Sequence, residues 1–388
     1  MTADSNDELS EARLLADASK HSGGLDDFGE GFLDNLGALL EMYRGTAALT
    51  PAGRKSTRRR LLGLLVNRLR IARAFAAAPQ HRSRALQAPV YVVGLPRTGT
   101  SALFNLLARD RSSRPLLYWE GLHPDPGPEL APGEIDPRLV QTRLELERAY
   151  ERNPGFAALH RVRADAPEEC VALLAHTLGS VQMGIEPLIS PYREYFVQQD
   201  QRDNYRYYVD LLRLLDSQRP GRRWLLKSPA HLWGLAALLE QLPDARVVWT
   251  HRDPRAVVAS YCSMIEALSS VREPLDPRAI GRDVLAYLAS SAERALQERA
   301  ALDPRQLADV SHAETVRDPL ATVERIYAGF ALELPALDRE RMREYTRARE
   351  EPTAGAHRYD LARYGLQPEQ VSERFQPYLT RFAEWLRL

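Results

Sequence analysis

Residues 90–101 read Val-Tyr-Val-Val-Gly-Leu-Pro-Arg-Thr-Gly-Thr-Ser, and this stretch decides the fold of the chain. Its four apolar, β-branched or aromatic residues predict a short buried strand that ends at Gly94. From Thr100 onward, apolar residues recur at helical spacing, so a helix follows the strand directly. Gly94, Gly99 and Ser101 have the spacing of a phosphate-binding loop. The stretch therefore predicts a strand, an anion-binding loop and a helix.

The loop lacks the lysine that nucleoside-triphosphate-binding loops carry before their last hydroxyl residue. Thr100 occupies that position, and the nearest basic side chain in the loop is Arg97. Free N–H groups and the positive end of the helix dipole favour an anion here. Gly99 allows close approach of the backbone, and Arg97 adds a planar fork of donors. We therefore predict a loop that binds a phosphate-like group differently from the loop of an ATPase.

Composition narrows the class of protein. The 388 residues include 52 basic and 52 acidic side chains, so the zero net charge predicts no general nucleic-acid or membrane partner. Two cysteines, Cys170 and Cys262, favour a reducing compartment without disulfides. The polar N-terminus and the absence of an apolar run of about 18 residues predict a cytoplasmic protein without a membrane span. The histidines show no paired ligand spacing, so no metal site is expected.

Strand and helix patterns divide the chain into two parts. Residues 1–87 show only helical periodicity and are predicted to form an N-terminal extension. Residues 88–388 alternate strands with helices, which predicts a P-loop-type α/β fold with a parallel sheet flanked by helices. A helical insertion on the substrate side is predicted over residues 111–222. The predicted strands are Val90–Val93, Trp224–Leu226, Arg246–Thr250 and, more weakly, Leu307–Val310.

A second basic turn follows the strand predicted at 246–250. Arg252 comes just before Asp253 and Pro254, which suit the N-cap and the first position of a helix. Ser260 lies eight residues after Arg252, two turns inside that helix. Ligands of open parallel sheets bind outside the carboxyl ends of the strands. This turn is therefore expected to lie beside the loop at 94–100.

The two segments together resemble the sulfotransferase superfamily, which uses 3′-phosphoadenosine 5′-phosphosulfate (PAPS). The resemblance covers residues 88–388 and is greatest to a bacterial branch similar to tyrosine-protein and glycan sulfotransferases. It implies that Arg252 and Ser260 bind the 3′-phosphate of the nucleotide. It implies that the first loop binds the 5′-phosphosulfate, through Arg97, Thr98, Gly99, Thr100 and Ser101.

Lys227 ends the strand predicted at 224–226 and is therefore expected at the same edge of the sheet as the two loops. Its Lys-Ser-Pro context also resembles the catalytic-lysine position of the family. The resemblance implies that Lys227 stabilises charge on the leaving nucleotide without a metal ion. It further implies that a basic C-terminal segment containing Arg358 closes over the nucleotide.

The general base has three candidates. Glu120 lies 23 residues after the arginine of the first loop, where the tyrosine-protein and glycan branches carry a catalytic glutamate. His231, four residues after Lys227, is the alternative suggested by the branch that acts on small molecules. That branch places its histidine nearer the lysine, where Pro229 stands here. His123 is the third candidate.

Three functions are consistent with these patterns. The first is sulfuryl transfer from PAPS to a hydroxyl group of a small-molecule, lipid or glycan acceptor. The second is a P-loop nucleotide kinase or ATPase, which would need the missing loop lysine and an acidic residue for magnesium. The third is a nucleotide-binding module without catalysis, against which Arg97, Lys227 and Glu120 argue.

Overall fold

The computed structural model describes residues 8–45, 51–152, 162–180, 190–269, 275–348 and 360–386. Within these ranges, five parallel strands form one sheet: β1 (Val90–Gly94), β2 (Ser113–Pro115), β3 (Arg223–Lys227), β4 (Arg246–His251) and β5 (Leu307–Ser311). Their order across the sheet is β2-β3-β1-β4-β5. The predicted α/β class with a parallel, helix-flanked sheet is confirmed.

The four predicted strands are all present, and each continues at least one residue further than predicted. The sequence prediction missed β2, which pairs with β3 through Ser113 and Arg223. This strand has three residues and lies at the edge of the sheet. An edge strand tolerates Pro115 because a proline without an N–H group removes no bond from the interior of the sheet. Its shortness and its proline explain why no strand pattern was visible.

Helices cover both faces of the sheet, and short 3₁₀ turns precede or follow several of them. In chain order the α-helices are α1 (Glu11–His21), α2 (Leu33–Gly45), α3 (Pro51–Ala77), α4 (Thr100–Leu107), α5 (Tyr118–Leu122), α6 (Pro137–Arg152), α7 (Val171–Leu174), α8 (Ser190–Gln198), α9 (Arg202–Gln218), α10 (Leu235–Gln241), α11 (Pro254–Ser269), α12 (Pro277–Arg299), α13 (His312–Arg317), α14 (Pro319–Gly329), α15 (Ala336–Arg347), α16 (Pro368–Arg374), α17 (Gln376–Arg381) and α18 (Ala383–Leu386). Across the described ranges, no helix has the length and apolar character needed to cross a membrane.

Alternation of side chains along β1 separates two apolar cores. Val90 and Val92 point to the smaller core, which includes residues of α4 and α14. Tyr91 and Val93 point to the larger core, which includes residues of α9, α11 and α12. The N-terminal helices also pack into the larger core, for example through Leu65 of α3. The division into residues 1–87 and 88–388 stays a prediction, since both parts contribute to this core.

Two neighbouring strands send their following helices to opposite faces. The helix after β1 is α4, which packs into the smaller core, and the helix after β4 is α11, which packs into the larger one. In a parallel sheet, such a reversal opens a crevice at the carboxyl ends of the strands, where ligands bind. In the register of the sheet, Gly94 lies opposite Thr250, and Val92 lies opposite Lys227. The segments after β1, β3 and β4 therefore meet at this crevice.

Candidate active site

The loop between β1 and α4 has a backbone that requires glycine at two positions. Gly94 and Gly99 have φ angles of 148° and 86°. A Cβ atom on Gly94 would lie 2.4 Å from Thr250 Oγ1, and one on Gly99 would lie 2.8 Å from His312 Cδ2. Arg97 also has a left-handed φ of 71°, which is uncommon for a residue other than glycine. The loop therefore keeps a tight curvature around the start of α4, where first-turn N–H groups lack helical partners.

The Thr98 hydroxyl holds this loop in place. It donates to the Leu95 carbonyl at 2.6 Å and lies 2.6 Å from the hydroxyl of Thr250 on β4. Its side chain is buried, so its hydroxyl has its polar contacts inside the protein. The group that Thr98 can offer an anion is therefore its backbone N–H. Thr98 was predicted to bind the nucleotide, and its side chain is placed to support the loop.

The two predicted phosphate sites form one continuous surface. Arg97 Nε donates to the Ser260 hydroxyl at 3.0 Å. Arg252 Nη1 donates to the Arg97 carbonyl at 2.8 Å. Arg97 is exposed, whereas Ser260 is buried within α11. The structure thus brings together residues 163 positions apart, so that two guanidinium groups border the crevice.

Lys227 reaches the first loop from the neighbouring strand. Its ammonium donates to the Ser101 hydroxyl at 3.1 Å. The side chain is only 3% exposed, and its ammonium lies 5.8 Å from the centre of the Phe104 ring. The positive charge that the loop lacks at Thr100 is therefore supplied by β3.

The sequence analysis missed Glu169. Its Oε1 atom accepts a hydrogen bond from Lys227 Nζ at 2.6 Å, and the side chain is 26% exposed. The Cys170 N–H donates to the Lys227 carbonyl at 2.9 Å, which holds this segment against the end of β3. Nothing in the local pattern distinguishes Glu169 from the adjacent Glu168. Only the pairing of this segment with β3 brings Glu169 to the site.

Glu120 lies in a buried ion cluster at the start of α5. Its Oε1 accepts from Arg114 Nη2 at 3.0 Å and from Arg219 Nη1 at 3.1 Å. Its Oε2 accepts from the Leu117 N–H at 3.1 Å. Burial lowers the pKa of Arg114, and the charge of Glu120 opposes that shift. The side chain of Glu120 is 1% exposed, so the predicted base role would require this cluster to open.

The two histidine candidates are poorly suited to proton transfer. His231 is fully buried, and its Nδ1 lies 2.9 Å from the Tyr205 hydroxyl. Burial lowers the pKa of His231 to about 3, so the ring is a weak base. Burial also lowers the pKa of His123. These surroundings favour structural roles for both rings.

His312 lies against the first loop, beside Gly99. Burial, and then the positive charge of Arg252, lower the pKa of His312 to about 4. From the sequence, His312 follows the weakest predicted strand and was expected to support the edge of the sheet, with no role in binding or catalysis. Arg358, which was predicted to bind the nucleotide, lies outside the described residues.

Comparison with known proteins identifies a family model and several similar proteins. A family model described as "Sulfotransferase family" matches residues 89–336. Omega-hydroxy-beta-dihydromenaquinone-9 sulfotransferase Stf3, from Mycobacterium tuberculosis and Mycobacterium bovis, is 26% identical over 251 residues. The match covers 63% of this chain and 63% of Stf3, so the chain spans less than two thirds of the length of these curated relatives.

Two solved structures are similar over nearly the whole chain. Sulfotransferase STF1 from Mycobacterium tuberculosis H37Rv is 35% identical, with a TM-score of 0.84 over 96% of this chain and 99% of STF1. Sulfotransferase STF9 from Mycobacterium avium is 25% identical, with a TM-score of 0.87 over 98% of each chain. The likeness therefore includes the N-terminal helices as well as the sheet.

Proposed function

The chain belongs to the sulfotransferase family, and from this premise we propose that it transfers a sulfuryl group from PAPS to a hydroxyl group. The acceptor classes that we propose are small molecules, lipids and glycans. The printed name of Stf3 gives an omega-hydroxy dihydromenaquinone as its acceptor. For this chain we propose only that the group on the acceptor is a hydroxyl, which all these acceptor classes carry.

One observation carries the proposal, namely the continuity of the two basic loops. Arg97 contacts Ser260, and Arg252 contacts the backbone of Arg97. PAPS carries anionic groups at both its 5′ and 3′ positions. A surface with guanidinium groups from two adjacent loops matches both groups at once.

We assign the first loop to the 5′-phosphosulfate, through Arg97, the Thr98 N–H, Gly99, Thr100 and Ser101. We assign Arg252 and Ser260 to the 3′-phosphate, with Arg358 as a further predicted contact. We assign Lys227 to the stabilisation of charge that develops on the bridging oxygen as the nucleotide departs. Sulfuryl transfer then requires positioning, charge stabilisation and a group that takes the acceptor's proton.

The kinase or ATPase alternative lacks its main requirements. Thr100 stands where the loop lysine belongs, and Asp253 is the nearest acidic candidate for magnesium. Both oxygens of Asp253 accept from Arg255 Nε at 3.0 Å, which leaves this carboxylate committed to an internal contact. These contacts favour a phosphosulfate over a metal-bound triphosphate.

A thermal-shift experiment tests the proposal. The protein is heated with 3′-phosphoadenosine 5′-phosphate, with ATP and magnesium, or with buffer alone. At 100 times its dissociation constant, the bisphosphate should stabilise the fold by about 2.7 kcal/mol. Stabilisation by ATP and magnesium but not by the bisphosphate would overturn the proposal.

The Arg252→Ala variant tests the assignment of the 3′-phosphate. Loss of a charge-assisted hydrogen bond costs about 1.5–3 kcal/mol, which predicts an affinity for the bisphosphate roughly 10- to 100-fold weaker. The affinity for adenosine 5′-phosphate, which lacks the 3′-phosphate, should change far less. Arg255→Ala, one turn of chain away and paired with Asp253, is the matched control. Calorimetry that shows equal weakening for both nucleotides would remove Arg252 from this role.

A further inference from the structure

A buried cluster of polar side chains holds the end of β4. His251 is the last residue of this strand, and its side chain is fully buried. Its Nε2 lies 2.8 Å from Asp309 Oδ1 on β5, and its Nδ1 lies 2.8 Å from the Tyr378 hydroxyl on α17. The His251 ring also stacks on the ring of Phe382, with 3.9 Å between the ring centres. β4 is therefore joined to the C-terminal helices at the point where the strand ends.

Each polar atom of this cluster has one hydrogen-bonding role. Burial lowers the pKa of His251, although the hydrogen bond and charge of Asp309 oppose that shift, so the ring is neutral at pH 7. A carboxylate only accepts hydrogen bonds, so the proton of the neutral ring is on Nε2, which faces Asp309. Nδ1 then accepts from the Tyr378 hydroxyl. The second oxygen of Asp309 accepts from Arg299 Nη2 at 2.6 Å, which fixes the carboxylate in turn.

The residue before His251 is held from the opposite face of the sheet. Successive side chains of a strand point to opposite faces. The Thr250 hydroxyl donates to the Val93 carbonyl at 3.2 Å and lies 2.6 Å from the Thr98 hydroxyl of the first loop. The end of β4 is thus bound to the first loop on one face and to β5 and α17 on the other.

Arg252 follows His251 directly and lies in a short connection. Helix α11 begins at Pro254, so the connection consists of residues 252 and 253. Its shortness leaves the Arg252 backbone little freedom, and the position of this backbone therefore follows that of His251. The Arg252 guanidinium donates to the Arg97 carbonyl at 2.8 Å. A displacement of the end of β4 would therefore move this guanidinium relative to the first loop.

We propose that His251 is a positioning residue for the 3′-phosphate, because its hydrogen bonds to Asp309 and Tyr378 fix the end of β4 and so aim the Arg252 guanidinium. This role rests on the proposed function, in which Arg252 binds that phosphate. Charge-assisted hydrogen bonds are short, at about 2.7–2.9 Å, and binding groups have to be held within about 0.5 Å of their productive geometry. The preference for a nucleotide with a 3′-phosphate thus depends on a C-terminal helix 127 positions from His251 along the chain.

Tyr378→Phe tests this role with a small change. It removes the hydroxyl that donates to His251 and keeps the ring that packs on Phe382. His251→Phe removes both ring nitrogens and keeps an aromatic ring at this position. Tyr327→Phe is the matched control, since it removes a hydroxyl that donates to the buried Asp110 at 2.7 Å, beside the smaller core. Calorimetry measures the affinity of each variant for 3′-phosphoadenosine 5′-phosphate and for adenosine 5′-phosphate, and the ratio of the two affinities defines the 3′-phosphate preference.

Tyr378→Phe should lower the 3′-phosphate preference by about 2- to 10-fold, the effect of one lost hydrogen bond on an equilibrium constant. His251→Phe, which loses two such bonds, should lower it further. Affinity for adenosine 5′-phosphate should stay near the wild-type value in both variants, and Tyr327→Phe should match wild type for both nucleotides. In an Arg252→Ala background, Tyr378→Phe should cause no further loss of preference, because effects that act through one residue are not additive.

A wild-type preference in Tyr378→Phe would contradict the positioning role, and this variant decides the matter if His251→Phe does not fold. Equal weakening for both nucleotides would reduce the cluster to a structural role. A further loss of preference when Tyr378→Phe is added to Arg252→Ala would show that the cluster does not act through Arg252. Failure of the wild-type protein to bind the bisphosphate would instead reject the proposed function itself.

Discussion

Two clusters of charged side chains, each built around a glutamate from the segment between β2 and β3, differ in how exposed that glutamate is. The closed cluster consists of Arg114, Glu120 and Arg219. The open cluster consists of Ser101, Lys227 and Glu169. In the closed cluster, every carboxylate oxygen meets an internal donor, and the carboxylate is 1% exposed. In the open cluster, the carboxylate of Glu169 is 26% exposed, and one of its oxygens accepts a hydrogen bond from Lys227.

This difference in exposure predicts which substitutions change stability and which change turnover. A group that acts on a substrate needs unused hydrogen-bonding capacity and access, whereas a buried ion pair with all partners satisfied contributes to the fold. Substitutions in the closed cluster should therefore change stability. Substitutions in the open cluster should change turnover.

The largest effect is expected for Glu120→Ala. Removing Glu120 takes the nearer carboxylate from Arg114, which is 4% exposed and keeps only the longer ion pair to Asp216 at 3.7 Å. We expect a loss of about 3–5 kcal/mol in the free energy of unfolding, because breaking a buried pair costs this much. Urea denaturation measures this change, and the folded fraction should retain wild-type turnover per bound nucleotide.

Glu169→Ala is the matched control for this change, since it removes a more exposed carboxylate. Its free energy of unfolding should fall by less than that of Glu120→Ala. If Glu120→Ala were as stable as wild type but inactive, the structural role of Glu120 would be contradicted and its predicted base role supported.

Lys227→Met is expected to have the next largest effect, on turnover. Methionine preserves the apolar length of this nearly buried side chain but removes the charge near the leaving oxygen. Removing one such stabilising donor costs about 10²–10³-fold in rate. Rates of sulfate release from labelled PAPS provide the measurement. Lys55→Met, at an exposed position of α3, is the control, and equal rates for Lys227→Met and wild type would contradict the role of the open cluster.

Much of the fold was readable from local patterns. The strand at 90–93 and the helix after Gly99 follow from apolar spacing, and the other predicted strands were each found at their expected places. The family was identified from Arg97 and Arg252 with their surrounding turns, because phosphate binding constrains a few residues at fixed spacing. The lysine at the end of β3 was also expected at the sheet edge, since parallel strands share their carboxyl ends.

The features that the sequence did not predict depend on contacts between distant parts of the chain. Glu169 reaches Lys227 across 58 positions, held there by a backbone bond that no periodic pattern encodes. Glu120 accepts a hydrogen bond from Arg219, which is 99 positions away. The resemblance assigned Thr98 to the nucleotide, whereas the contact of its hydroxyl with Thr250 of the adjacent strand was not predicted. Residue type predicts which chemistry is possible, whereas burial decides which groups remain available for it.

The smallest effect is expected for His231, whose side chain is buried like that of Glu120 in the closed cluster. Burial lowers its pKa to about 3, whereas an unfolded histidine has a pKa of about 6.5. As pH falls, the His231 ring of the unfolded chain therefore binds a proton before that of the folded protein. The stability that His231 contributes is complete above about pH 6.5 and declines as pH falls toward about 3. By pH 5 the loss from this group is about 2 kcal/mol. Urea denaturation at pH 7 and pH 5 should show a smaller decline for His231→Asn than for wild type or for His21→Asn at an exposed position of α1. If stability declined equally in all three proteins and His231→Asn no longer released sulfate, His231 would belong to the catalytic site.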